Sequence, residues 1–98
     1  MNKKEIDQEM KRYENQGFDY WQMDEIRLGL EAGVDVDKYA DPKFNEYQMK
    51  QIQEGLENGV NVDKYANTKF DETQMYEIRK ELKKEKWKER RKKPELEM

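Results

Sequence analysis

An all-α fold is predicted by three features of this chain: a 26-residue unit that recurs, a helix-start signal at the head of each copy, and an apolar stripe at helical spacing behind it. The unit reads FDYWQMDEIRLGLEAGVDVDKYADPK at 18–43 and FNEYQMKQIQEGLENGVNVDKYANTK at 44–69, with 15 of 26 positions identical. A third copy, FDETQMYEIRKEL at 70–82, keeps eight of thirteen positions of the first. In repeats of fixed period each unit buries its apolar face on its neighbours. The expected architecture is a small helical-repeat array of four helices joined by single-turn connectors, with an extended basic C-terminal helix, in one domain over 1–93.

The first helix is expected at 2–16. Asn2 and Glu5 have capping-box spacing, Met1 and Ile6 form a hydrophobic staple, and Ile6, Met10 and Tyr13 make the apolar stripe before Gly17 ends the helix. The next two helices, at 19–32 and 45–58, share one grammar. Asp19 and Asn45 are N-cap residue types, Gln22 and Gln48 follow at N3, and Phe18 and Phe44 staple onto Met23 and Met49. Met23, Ile26 and Leu30 then fall on one face, as do Met49, Ile52 and Leu56.

Gly29 and Gly55 lie beside that face, where mid-helix glycine costs about 1 kcal/mol relative to alanine. Close approach of a neighbouring backbone is the expected compensation. Gly33 and Gly59 are expected to stop the helices in the left-handed conformation, with Val34 and Val60 folded over the last turn. Single turns near 37–40 and 63–66 follow, capped by Asp37 and Asp63, with Val36, Tyr39, Val62 and Tyr65 pointing inward.

In the third copy Asp71, Gln74, Phe70 and Met75 renew the start signal, and Met75, Ile78 and Leu82 renew the stripe. Glu81 and Glu85 replace both glycines, so this helix has no stop and should run over 71–92, with a basic extension at 83–93 ending before Pro94. Pairs such as Glu81–Lys84 and Glu89–Lys93 support it with about 0.2–0.5 kcal/mol each. Residues 94–98 are expected to be a disordered tail.

Charge divides along the chain. Residues 1–66 carry 15 acidic and 9 basic side chains, whereas 79–93 carry 10 basic and 3 acidic. With no cysteine and no histidine, the sequence offers no disulfide, thiolate nucleophile, imidazole base or Cys/His zinc site. Asp35, Asp37 and Glu46 have the outer spacing of a calcium loop, but Tyr39 and Ala40 stand where an oxygen ligand and a glycine are required. Neither a cofactor nor a metal is expected, and the carboxylates have the spacing of solvated faces, so the chain is not expected to be an enzyme. No run approaches a membrane span and the N-terminus is no signal peptide, which points to a soluble cytoplasmic protein.

The pattern F-[DN]-x-x-Q-M-x-x-I-x-x-G-L-x-x-G-[VL]-x-V-[DS]-x-Y-A resembles a short helical repeat of uncharacterised proteins from Firmicutes, their phages and conjugative elements. The resemblance covers 18–82. It implies a helical module of the kind appended to larger mobile-element proteins, and it carries no assigned catalytic or binding residue.

Positions that differ between copies are the natural place for recognition, because a repeat keeps its packing residues and varies its contact surface. They include Tyr20, Trp21, Asp24 and Leu28, then Glu46, Tyr47, Lys50 and Glu54, then Glu72, Thr73, Tyr76 and Lys80. Of these, Tyr20, Trp21, Leu28, Tyr47 and Tyr76 are the candidate contacts for a protein partner, although packing of Trp21 on the first helix against Ile6, Met10 and Tyr13 is the favoured alternative. The expected function is a protein-interaction module; an inhibitor of a host defence or nucleic-acid enzyme is one form it could take. The competing expectation is nucleic-acid binding through 79–93, with Lys80, Lys83, Lys84, Trp87, Arg90 and Arg91 contacting phosphates and bases. For Trp87, cover over a neighbouring helix or a dimer contact weighs more. Self-association of the long helix ranks last.

Overall fold

The structure is a computed structural model that describes residues 1–96, with side chains described through Glu89. Its described residues form α1 (Lys3–Met10), α2 (Tyr20–Glu31), α3 (Glu46–Glu57) and α4 (Glu72–Leu96), with 3₁₀ turns at Lys11–Tyr13, Val36–Lys38 and Val62–Lys64 and no strand. The fold is all-α, and no described helix is long and apolar enough to cross a membrane.

All four capping boxes form as read. Asn2, Asp19 and Asn45 each make a reciprocal capping box with Glu5, Gln22 and Gln48. Asp71 and Gln74 exchange the same two bonds, at 2.9 and 2.8 Å. The glutamines at the second and third boxes do more than cap. Gln22 Nε2 also donates to the carbonyls of Pro42 (3.0 Å) and Phe44 (2.6 Å), and Gln48 Nε2 to the carbonyl of Phe70 (2.7 Å). Each amide therefore ties the start of one helix to the start of the next, a bond that glutamate could not donate. The starts of α2, α3 and α4 thus lie together and these helices run parallel. At the opposite end, Lys86 Nζ donates to the carbonyl of Gly59 at 2.8 Å. α1 runs antiparallel to α2, since Asp7 pairs with Arg27 at 3.1 Å while Met10 and Met23 line one groove.

Ile26, Leu30, Met49, Ile52 and Met75 are buried, and Met23, Leu56, Ile78 and Leu82 pack half-buried against them. Gly33 and Gly59 take φ of 75° and 72°, and the bonds Val34 N–H to Gly29 O and Gly33 N–H to Leu30 O close a Schellman motif.

Gly29 and Gly55 make room for something other than a neighbouring backbone. Each connector runs back along the helix it leaves, and its tyrosine reaches the helix through the glycine. Tyr39 Oη donates to the carbonyl of Glu25 and Tyr65 Oη to that of Gln51, both at 2.7 Å. A Cβ on Gly29 would collide with the Tyr39 hydroxyl and stand 2.6 Å from Val36 Cγ1; on Gly55 it would collide with the Tyr65 hydroxyl and stand 2.8 Å from Val62 Cγ1.

Other expectations need correction. α1 stops at Met10 instead of 16, because the chain tightens into a 3₁₀ turn, Glu14 is extended and Asn15 is left-handed (φ 64°). A long-range bond from Tyr13 Oη to Asp37 Oδ1 (2.9 Å) holds that turn. Met1 is 65% exposed, so the staple on Ile6 is not made. The connector turns lie one residue earlier than read, and their caps are Asp35 and Asn61, whose side chains accept from the N–H groups of Asp37 and Asp63. Asp37 and Asp63 instead bind backwards along the chain, to Tyr13 and to Lys38 Nζ (3.0 Å). Finally, α4 continues past Pro94 to Leu96. A proline so near the end removes one ladder donor, which leaves residues 94–96 helical instead of forming the start of a tail; residues 97 and 98 lie outside the described residues.

Candidate functional site

Apolar side chains that the scaffold does not consume mark the surface to consider. Tyr20 is 73% exposed, Trp21 60% and Tyr47 56%. Trp21 does not pack on α1. The α2 residues that line the groove against α1 are Tyr20, Met23, Asp24 and Arg27, and Trp21 is not among them. Trp21 instead lines a groove with Glu46, Tyr47 and Lys50 of α3.

Trp21 of α2 and Tyr47 of α3 both line an open groove of about 500 Å³ between the two helices, completed by Asp24, Glu25, Glu46 and Lys50. Three carboxylates thus face one ammonium. Tyr20 meets Trp21 edge-on, with ring centroids 5.1 Å apart and planes at 89°, and so braces the indole. It also lines the adjoining groove against α1, about 390 Å³, with Met10, Glu14, Met23, Asp24 and Arg27. Glu25 is the unusual acid. Its Oε2 is buried without a hydrogen-bond partner among the described residues, and burial raises its pKa, with Lys50 acting in the opposite direction.

The other two partner candidates stand apart. Leu28 is 39% exposed and lies two turns beyond Trp21 on α2, outside the groove. Tyr76 is 44% exposed and is occupied by its own helix, with Arg79 Cζ 5.3 Å and Lys80 Nζ 5.7 Å from its ring centroid.

Of the basic candidates, Lys80, Lys83, Lys84 and Trp87 line a shallow groove of about 340 Å³ along α4. Trp87 also lines a second groove with Asn58 at the end of α3, yet it remains 59% exposed, so it does not cover that helix as expected. The side chains of Arg90 and Arg91 lie outside the described residues. Among those described there is no cluster of three or more acidic side chains placed to hold a metal ion.

No family model, curated protein or solved structure matches this chain. The likeness to Firmicute and phage repeats rests on the quoted motif alone.

Reading by single residues missed Glu25 and Gln53. Gln53 is 9% exposed and, like Glu25, has a buried side-chain oxygen without a partner. One signal was available: positions 27, 53 and 79, spaced by the repeat, read Arg, Gln, Arg.

Proposed function

We propose that this chain is a non-enzymatic protein-interaction module, a helical-repeat array whose recurring residues are scaffold and whose α2–α3 groove takes the partner. The observation carrying this reading is that Trp21 and Tyr47, at equivalent positions of two copies, stay 60% and 56% exposed and line one groove. Two large aromatics left in water beside a packed apolar core suit the anchor of an interface, where tryptophan and tyrosine are enriched. The groove differs from its neighbours because the repeats differ at these positions, as a recognition surface requires. The motif's resemblance to phage and conjugative-element repeats makes a host protein the natural partner, and inhibition of a host enzyme one consequence of binding.

A photo-crosslinking residue placed at 47 tests this in host extract, with the same residue placed at the exposed position 31 as reference. Position 47 should capture a protein that position 31 does not, and that capture should disappear in Trp21→Ala. Equal capture at both positions would contradict the reading.

A second reading has one observation of its own. The exposed Trp87 with Lys80, Lys83 and Lys84 offers a stacking surface beside phosphate-binding charge on the basic C-terminal helix. It requires single-stranded DNA binding that weakens steeply between about 50 and 200 mM salt and is lost in Trp87→Ala.

A further inference from the structure

The three seams between neighbouring helices can be compared position by position. At the α1–α2 seam, Arg27 pairs with Asp7 at 3.1 Å. At the α3–α4 seam, Arg79 is buried, with Nε donating to Gln51 Oε1 at 3.1 Å and its guanidinium pairing with Glu54 Oε2 at 3.0 Å. The residue at the same repeat position in the α2–α3 seam is Gln53. Glu25 stands to Gln53 as Gln51 stands to Arg79, 28 residues before it. This is the seam without an arginine. Gln53, 9% exposed, and Glu25 each keep a buried oxygen with no donor.

Two unpaired acceptors at one seam are costly, since a buried acceptor without a donor gives up its bond to water and gains none in return. Glu25 lines the α2–α3 groove, which ends one turn of α3 short of Gln53, together with Trp21 and Tyr47, whose ring faces attract cations, and with Asp24 and Glu46, which outnumber Lys50. Every group lining the groove but Lys50 favours the same kind of guest.

We propose that the α2–α3 groove is a socket for a guanidinium or ammonium on a basic segment of a protein partner, which supplies from outside the cation that Arg27 and Arg79 supply at the flanking seams. An arginine fits best, because its planar fork pairs with carboxylate while its face stacks on an aromatic ring. The inference rests on the interaction reading above and names the partner's chemistry.

The test uses the full chain with Trp87→Phe, so that Trp21 is the one tryptophan reporting. The probes are a Gly-Ser peptide carrying three arginines and its citrulline counterpart, which keeps shape and loses charge. The arginine peptide should change Trp21 emission and bind at least about tenfold more tightly than the citrulline peptide. Gln53→Arg, which installs the missing cation, should melt no lower than the parent and weaken the arginine peptide about tenfold. Glu25→Gln should weaken it as well, whereas Glu31→Gln, an exposed acid outside the groove, should not. Equal binding of the two peptides, undiminished binding by Gln53→Arg, or equal losses in Glu25→Gln and Glu31→Gln would each overturn the socket. If neither peptide binds, the cation inference falls, while the crosslinking result judges the interaction reading separately. A mass that rises with concentration and reverts in Gln53→Arg would place a second copy's basic arm in the groove and overturn a foreign partner.

Discussion

Gly55→Ala should destabilise this protein, although helix propensity alone predicts the opposite. In a solvated helix, alanine gains about 1 kcal/mol over glycine. Here the new methyl would meet the Tyr65 hydroxyl and stand 2.8 Å from Val62 Cγ1, and both residues are buried. Moving Tyr65 breaks its 2.7 Å bond to the Gln51 carbonyl, worth about 1 kcal/mol. Displacing two packed side chains costs about 1–3 kcal/mol more. The net loss is about 2 kcal/mol, on the order of 10 °C in Tm for a domain of this size. Urea unfolding followed by circular dichroism measures it, and Gly29→Ala should behave alike through Tyr39. Tyr65→Phe alone should lose about 1 kcal/mol, and the double variant should lose less than the sum, because the oxygen is the nearest atom to the added methyl. A Gly55→Ala protein as stable as the parent would refute the account of how connectors dock.

Gln22→Glu should cost about 2–3 kcal/mol in urea unfolding, since a carboxylate cannot donate to the carbonyls of Pro42 and Phe44 and would repel them. Gln74→Glu, on the exposed last copy, should fall within about 0.5 kcal/mol of the parent. Alkali should unfold the chain through its buried tyrosines. Burial and the bond to Asp37 push Tyr13 from 10.0 to about 12, and burial raises Tyr39 and Tyr65 as well. A raised pKa means that the unfolded chain releases its proton first. The contribution is therefore whole below pH about 10 and is lost as pH climbs toward 12. Denaturation midpoints should hold to pH about 10 and then fall, less steeply in Tyr13→Phe; a flat profile to pH 12 would contradict the burial of these rings.

Local grammar was legible because it needs only spacing. Capping boxes and the Met-Ile-Leu stripe are set within one helical turn or along one face, and the structure places them as read. The Met1 staple, by contrast, is not made, and the connector caps fall on Asp35 and Asn61. What failed depended on a second segment. Nothing near Tyr13 announces that Asp37 will hold its hydroxyl and end α1 early. Gly29 signalled a close approach, but the approaching group, the Tyr39 hydroxyl, comes from the chain's own return path. The sequence favours packing of Trp21 on α1, yet a helical wheel fixes rotation about one axis and not which neighbour a face meets. The acidic groove was half visible: Trp21 and Tyr47 stood out as variable aromatics, while Gln53 read as an ordinary polar residue until the seams could be compared.

The central claim is that recurring residues build the scaffold and the α2–α3 groove recognises a partner's cation. Amide chemical-shift mapping during titration with the arginine peptide tests it most directly. The account predicts shifts concentrated at Trp21, Asp24, Glu25, Glu46, Tyr47 and Lys50, with Met75 and the connector tyrosines unmoved. Shifts confined to the basic end of α4, or spread evenly over every exposed acid, would contradict it.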